Sequence, residues 1–290
     1  MSDRPVRSPR AETREVAELK QLKLAQPELA TAVDLQLELV EMQRRVQARV
    51  PLPWIQADVA WMRSQQQAGR PVVRFSDIPL DWSDFRLTFR QTADILRRFD
   101  AMEAPEHAQI GALAREGNVL EPLVREWYRA TSGVEGARAG AHGRLPDGMR
   151  AGLEQVLVLA IRPFLTRCVD ALRQSTDLTG WHDGHCPFCG WEPDFAVITP
   201  SADRLLVCGR CLAQWAFGSH TCPFCTNDDR ERVTSFATRD GRYRVYACDV
   251  CRRYLKAYDG RQAGRPVMVA VDAIATLPLD AAAMQRGYVG

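Results

Sequence analysis

Eight of the nine cysteines lie in four Cys-x-x-Cys pairs, all within residues 186–251. A Cys-x-x-Cys turn presents two sulfurs to one ion, and two such turns complete a tetrahedral site of four thiolates. Four pairs therefore predict two metal sites. The alternative of four disulfides is disfavoured, because nothing places the chain in an oxidising compartment. The predicted metal ligands are Cys186, Cys189, Cys208, Cys211, Cys222, Cys225, Cys248 and Cys251.

The spacing between the pairs indicates how they combine. Successive pairs are separated by 18, 10 and 22 residues. The two longer gaps suit zinc-ribbon or rubredoxin-like modules, in which a β-hairpin joins two metal-binding turns, here called knuckles 1 to 4 in chain order. We therefore expect knuckle 1 to share an ion with knuckle 2, and knuckle 3 with knuckle 4; an interleaved arrangement stays open. Cys-Pro-Phe-Cys recurs at Cys186 and Cys222, which suggests an internal repeat of the module.

The sequence does not choose the ion, because four thiolates serve both zinc and a mononuclear iron centre. Zinc would make the sites purely structural, whereas iron could also change its oxidation state. His182, His185 and His220 precede knuckles, but four thiolates already saturate each ion, so we expect these imidazoles to be solvated or to support the ligands. Cys168 lies apart from the pairs on an apolar helix face and is predicted to be a small buried core thiol.

The chain changes character at about residues 179–185. Before this point apolar residues recur three and four positions apart, which predicts amphipathic helices, and beyond it the segments are short and strand-like. The predicted fold class is α+β and multi-domain, with an all-helical N-terminal domain followed by two small rubredoxin or zinc-ribbon-like metal modules. The predicted divisions are a disordered N-terminus (1–12), a helical domain (13–178), a first four-cysteine metal module (182–218), a second four-cysteine metal module (219–262), and a C-terminal strand and short helix (263–290).

Individual elements follow from the same patterns and from the prolines and glycines between them. The predicted helices cover about residues 13–49, with a break at Pro27, then 53–67, a segment that begins at Ser83 or Asp84, 106–132 and 148–174. Five strands are predicted between or beside the knuckles. A sixth strand is predicted at Val267–Val271 and a last helix at Leu279–Gln285.

Charge and composition exclude several functions. The net charge is +2, and residues 182–262 hold eleven basic and ten acidic residues, a formal +1 that two divalent ions on eight thiolates would change to −3. A phosphate-binding surface needs net positive charge, so nucleic acid is not an expected partner. The N-terminus lacks the apolar core of a signal peptide, and the longest apolar run, Val156–Ile161, is too short to cross a membrane. We expect a cytoplasmic protein without membrane insertion.

The sequence also lacks the residue patterns that identify common enzyme active sites. The sequence contains no Walker loop, no G-x-G-x-x-G and no Ser-His-Asp order, so we expect a protein without catalytic residues. The remaining candidates are a binding protein and, if the ion is iron, a rubredoxin-like electron-transfer protein with two mononuclear iron sites. A homodimer is left open.

The cysteine-rich segment resembles a known family, the formate dehydrogenase accessory protein FdhE. The resemblance covers about residues 185–288 and includes a stretch beyond the last knuckle, from Val271 to Asp280 and on to Tyr288. It is carried by these runs: Cys186-Pro-Phe-Cys189-Gly190, Arg204-Leu-Leu-Val-Cys208 with Cys211 and Trp215, Cys222-x-x-Cys225, and Cys248-x-x-Cys251-x-x-Tyr254-Leu255-Lys256.

The resemblance implies a function for the chain. It implies a cytoplasmic, chaperone-like accessory factor that binds the catalytic subunit of a formate dehydrogenase and supports its maturation, and that does not itself oxidise formate. It also implies two rubredoxin-type sites and favours iron over zinc as the bound ion.

Overall fold

The protein is described by a computed structural model that covers residues 13–55, 58–132, 151–173, 176–261 and 264–290. The predicted disordered N-terminus, residues 1–12, lies outside these ranges. The helical N-terminal part and the β-rich part with the eight cysteines follow one another as the sequence predicts. The boundaries of the five predicted divisions stay predictions.

The helical part contains, in its described residues, seven α-helices. A 3-10 turn at Pro27–Leu29 separates the first two, because Pro27 has no N–H to continue the preceding helix and its fixed φ starts a new turn. The helices are α1 (Arg14–Ala25), α2 (Ala30–Gln47), α3 (Val59–Gln67), α4 (Trp82–Arg98), α5 (Ala104–Arg115), α6 (Gly117–Thr131) and α7 (Ala151–Leu172).

Three helix boundaries differ from the prediction, and local hydrogen bonds explain two of them. The side chain of Asp58 accepts the N–H of Trp61, so α3 begins six residues later than expected. Asp81, rather than Ser83 or Asp84, caps α4. The single helix predicted over 106–132 is two helices, because Glu116 leaves the helical region at φ −101° and ψ 77°.

The core of the helical part is built from large apolar side chains on α4, α6 and α7. Phe85, Phe89, Trp127 and Phe164 are fully or almost fully buried there. Cys168 is completely buried among them, and burial raises the pKa of its thiol to about 12. The prediction of a buried core thiol is confirmed, and at neutral pH this sulfur stays protonated.

The β-rich part forms one six-stranded sheet in the order β3-β2-β1-β6-β5-β4. Each module contributes three consecutive antiparallel strands, and a parallel pairing of β1 with β6 joins the two modules, with Phe195 opposite Lys256. The sequence predicted two modules but not their union in one sheet. The strands are β1 (Pro193–Ile198), β2 (Arg204–Cys208), β3 (Gln214–Ala216), β4 (Val233–Ala237), β5 (Tyr243–Cys248) and β6 (Tyr254–Asp259).

The C-terminal strand predicted at Val267–Val271 is wrong. This segment leads into a helix, α8 (Val269–Ala275), because the buried Asp272 accepts the N–H of Met268 and the hydroxyl of Tyr243 and pairs with Arg265. Val267 and Val269 pack against the core beside Leu279, whereas Val271 packs into a separate core with Leu19 and Val33. The last helix, α9 (Leu277–Gln285), begins two residues earlier than predicted, with a proline in its first turn.

The two faces of the sheet have different coverings. The cysteines and the residues on their face, such as Leu206 and Leu255, belong to one hydrophobic core with the helical part. The opposite face, including Val197 and Tyr258, packs against α9. None of the helices in the described ranges combines the length and the apolar character that crossing a bilayer requires.

Candidate metal centres

The four knuckles share one backbone geometry. In each, the N–H of the first cysteine donates to the carbonyl five residues later at 2.8–2.9 Å. The N–H of the residue after the second cysteine donates to the carbonyl oxygen of the first cysteine at 2.9–3.2 Å. The residue that carries this second N–H has a φ between 60° and 75° in every knuckle. These residues are Gly190, Leu212, Thr226 and Arg252.

Only one of these left-handed positions is a glycine, and a close contact explains it. A Cβ on Gly190 would lie 1.9 Å from the carbonyl oxygen of Ser132, at the end of α6. Leucine, threonine and arginine hold the same conformation at the other three knuckles, at the cost of local strain that the surrounding structure must offset. The repeated geometry supports the internal repeat suggested by the two Cys-Pro-Phe-Cys sequences.

Knuckles 1 and 2 bring four buried sulfurs together. Sγ of Cys186 lies 3.5 Å from Sγ of Cys211, and Sγ of Cys189 lies 3.5 Å from Sγ of Cys208. Burial raises the pKa values of Cys186 and Cys211. Burial also opposes ionisation of Cys189, but hydrogen bonds from the neighbouring thiols and the charge of Arg210 hold its pKa below the usual range. We call these four residues group 1.

Knuckles 3 and 4 form a second set, group 2, which consists of Cys222, Cys225, Cys248 and Cys251. Its Sγ–Sγ distances are 3.7 Å between Cys222 and Cys251 and 3.6 Å between Cys225 and Cys248. Cys225 and Cys251 are partly exposed, unlike any member of group 1. The structure therefore combines the knuckles in the order that their spacing predicts, and the interleaved arrangement is wrong.

The donor set fits a tetrahedral metal ion. In each group all four sulfurs lie within 4.8 Å of one another. Four sulfurs around an ion at metal–sulfur bonds of about 2.3 Å would be separated by about 3.8 Å, close to the 3.5–3.7 Å of the contacts above. Each group could therefore hold one ion, and both zinc and iron accept this set of ligands.

Arg210 ties group 1 to the helical part, and the sequence analysis missed it. It lies between the two cysteines of knuckle 2 and is completely buried. Its Nη1 donates to Oγ1 of Thr131 at 2.9 Å, and its Nη2 donates to the carbonyl of Cys189. Its guanidinium lies 4.5–5.3 Å from the centroids of three aromatic rings: Tyr128, Trp191 and Trp127. No motif signals it, since arginines are mostly found at the surface.

Hydrogen bonds that main-chain carbonyls accept complete this junction. The N–H groups of Val72 and Val73 donate to the carbonyls of Pro187 and Phe188 inside knuckle 1, at 2.9 and 2.8 Å. From α7, Nη2 of Arg162 donates to the carbonyl of Gly209 in knuckle 2 at 2.7 Å. Group 1 is therefore part of the interface between the sheet and the helices.

Group 2 is held by the other module and by the C-terminus. Arg253 forms two hydrogen bonds with Glu192, at 2.8 and 2.9 Å, which link knuckle 4 to the segment that follows knuckle 1. The guanidinium of Arg253 lies 3.6 Å from the ring centroid of Phe224 in knuckle 3. Arg252 packs 4.2 Å from the ring centroid of Tyr288 and donates to the carbonyl of Arg286, just beyond α9.

The three histidines that precede knuckles belong to neither sulfur group. Nε2 of His185 lies 3.1 Å from the carbonyl oxygen of Gly69, and its ring packs edge-on against Trp181. Trp181 donates its Nε1–H to the carbonyl of His185 at 2.9 Å. His185 therefore supports the approach to knuckle 1 rather than providing a ligand.

The chain is similar in sequence to one curated protein and in fold to a solved structure. Over 138 residues the chain is 28% identical to "Protein FdhE homolog" of Aquifex aeolicus (strain VF5), an alignment of 46% of this chain and 48% of that protein. The chain thus spans about half the length of this curated relative. The crystal structure of the FdhE protein from Pseudomonas aeruginosa matches with a TM-score of 0.59 and 20% identity over 95% of this chain and 92% of that one. The chain resembles FdhE in sequence and in fold. No family model matches it.

The first prediction concerns metal content. Protein purified without oxygen should contain about two equivalents of iron plus zinc by elemental analysis. Cys208→Ser should reduce this to about one, because three thiolates are left at group 1, and hydrogen exchange should rise over residues 186–216 while α4 and α7 stay protected. Cys168→Ala is the matched control and should retain both ions. One ion or none in the unaltered chain would contradict the assignment of the eight ligands.

The second prediction concerns the difference between the groups. When a chromogenic chelator removes zinc from the fully loaded protein, we expect two phases of equal amplitude, since two cysteines of group 2 are partly exposed and all four of group 1 are buried. Cys248→Ser should remove the fast phase and Cys208→Ser the slow one. A single phase for both ions, or the opposite assignment, would show that exposure does not control release.

Proposed function

We propose that the chain is an accessory factor that binds the catalytic subunit of a formate dehydrogenase in the cytoplasm and supports its assembly into active enzyme. The observation that carries the proposal is the likeness to FdhE in both sequence and fold, together with two four-cysteine groups in one sheet. The eight cysteines are proposed to hold two ions, with iron favoured by the family resemblance.

The geometry of the groups supports a binding protein rather than an enzyme. A catalytic metal keeps an open position for water or substrate, whereas four thiolates close the coordination of a tetrahedral ion. Both groups supply four sulfurs, so each ion would have no open position. The bound ions would then shape the sheet that meets the partner and would not activate a substrate. Purified protein should accordingly show no formate-dependent reduction of a dye.

The partial exposure of Cys225 and Cys251 favours a second candidate, a rubredoxin-like electron carrier. Electron transfer to a partner needs a redox-active ion close to the surface, and group 2 has two partly exposed ligands. This candidate requires iron at group 2 and a reversible one-electron reduction by a partner reductase. Group 1, with four buried sulfurs, would keep a structural role under either candidate.

The third prediction tests the accessory role in cells. Deleting the gene should abolish formate oxidation and leave the transcript of the dehydrogenase unchanged, because the defect lies in assembly. The unaltered chain and Cys168→Ala should restore activity, whereas Cys208→Ser and Cys248→Ser should not. Affinity purification of the restored chain should recover the catalytic subunit. Normal formate oxidation in the deletion strain, with no second copy of the gene, would refute the proposal.

A further inference from the structure

Two buried arginines have no carboxylate partner. Arg210 is completely buried, and Arg204, the first residue of β2, is only 4% exposed. In both, Nε has no hydrogen-bond acceptor, and no carboxylate in the described part of the chain pairs with either guanidinium. A guanidinium keeps its positive charge in a protein, and a buried charge is costly unless an opposite charge compensates it. The compensation for these two arginines must therefore come from another kind of group.

A third buried arginine shows compensation by a carboxylate. Arg253 is 8% exposed, and its two terminal nitrogens bind both oxygens of Glu192 at 2.8 and 2.9 Å. The two side chains form a neutral pair, so Arg253 adds no net charge to the neighbourhood of group 2. Arg210 and Arg204 differ from it, because each brings a whole positive charge into the interior.

Arg210 lies beside group 1. Its Nη2 donates to the carbonyl of Cys189, and its main-chain N–H donates to Sγ of Cys208 at 3.3 Å. The other contacts of its guanidinium are three aromatic rings and the hydroxyl of Thr131. Burial alone would lower the pKa of Arg210, but nearby negative charge, led by that of Cys189, raises it. The thiolates of group 1 are therefore the anions that this guanidinium faces.

Arg204 has the corresponding place beside group 2. Arg204, Cys222 and Cys248 line one cavity, and Nη1 of Arg204 donates to the carbonyl of Thr221, the residue before Cys222, at 2.9 Å. Burial lowers the pKa of Arg204, and the charges of Tyr246 and Cys222 oppose this shift without reversing it. Two cysteines of group 2 are partly exposed, so water screens this group more than group 1. We therefore expect a weaker effect of the arginine here.

The charge of a loaded group depends on the oxidation state of its ion. With four thiolates around it, a divalent ion gives a group a net charge of −2, and a trivalent ion gives it −1. A neighbouring cation attracts the first about twice as strongly as the second. A buried arginine beside the group therefore stabilises the divalent state more than the trivalent state.

We propose that Arg210 and Arg204 are the counter-cations of groups 1 and 2 and make each group selective for a divalent ion. Neither arginine is a ligand; each acts through its charge on the four thiolates beside it. If the ion is iron, the two arginines hold it in the ferrous state. The inference rests on the two ions proposed above, and it adds the residues that determine their charge state.

A redox titration of the full-length protein, loaded with iron and reduced by dithionite in the presence of mediators, tests the effect of the charge. Arg210→Met removes the charge and keeps an apolar side chain of similar length. We expect a roughly tenfold fall in the ratio of ferrous to ferric iron at group 1, which lowers its midpoint potential by about 59 mV for a one-electron couple. Arg204→Met should lower the midpoint of the other iron by a smaller amount.

The direction of the shift separates loss of charge from structural damage. A loosened site admits water, which stabilises the more highly charged ferrous form and raises the potential, whereas loss of a cation lowers it. Arg210→Lys keeps the charge and should recover most of the lost potential. Arg239→Gln, in the exposed hairpin loop between β4 and β5, should leave both midpoints unchanged.

Zinc binding gives a second measurement that does not depend on redox chemistry. In competition with a chromogenic chelator, Arg210→Met should weaken the binding of one zinc ion roughly tenfold and leave the other unchanged. If Arg210→Met does not fold, Arg210→Gln, which keeps a hydrogen-bond donor, carries the same two expectations.

Several outcomes would overturn the proposal. An unchanged or raised midpoint in Arg210→Met with both ions retained would do so, as would a midpoint of Arg210→Lys as low as that of Arg210→Met. Fewer than two ions in the unaltered chain would overturn the ion assignment and this inference together. None of these results bears on the accessory role, which recovery of the catalytic subunit tests separately.

Discussion

The arrangement of four sulfurs around one point organises the β-rich part of this protein. Each group connects the two ends of one β-hairpin. Knuckles 1 and 3 precede the first strand of a hairpin, and knuckles 2 and 4 begin at the last residue of the second strand, β2 or β5. Three of the four turns hold a non-glycine residue at positive φ, which costs energy that the surrounding structure must offset. Without an ion, group 1 would leave four buried thiols with few other polar partners, and a small sheet has little core of its own. The grouping of the sulfurs is therefore the constraint on which the sheet depends, and the proposed ions would satisfy it.

Two buried arginines extend that constraint to the rest of the chain. Arg210 lies inside knuckle 2 and fills the space between the aromatic rings of α6 and the first module. Arg253 lies just after knuckle 4 and binds Glu192 of the first module. A change at either sulfur group would thus move a residue that bridges two parts of the molecule. The groups differ in exposure, so one is integrated into the interior and the other lies near the surface.

Local features were predictable from the sequence, and long-range features were not. The cysteine pairs, their combination and the internal repeat follow from spacing, since each knuckle closes hydrogen bonds within six residues. The parallel pairing of β1 with β6 joins residues that lie far apart in the chain, such as Phe195 and Lys256, and no local pattern encodes it. All residues of β6 are buried, so it shows no alternation of exposure. Arg210 was missed for a related reason: its burial depends on tertiary contacts.

X-ray absorption spectroscopy of the metal-loaded protein tests the central claim most directly, because it reports the atoms bound to the ions. The account predicts four sulfurs per ion at about 2.3 Å, for zinc and for iron, with no nitrogen or oxygen bound to either ion. The average should remain at four sulfurs in a variant in which His185 is replaced by Ala. Nitrogen or oxygen among the bound atoms, or fewer than four sulfurs per ion, would contradict the account.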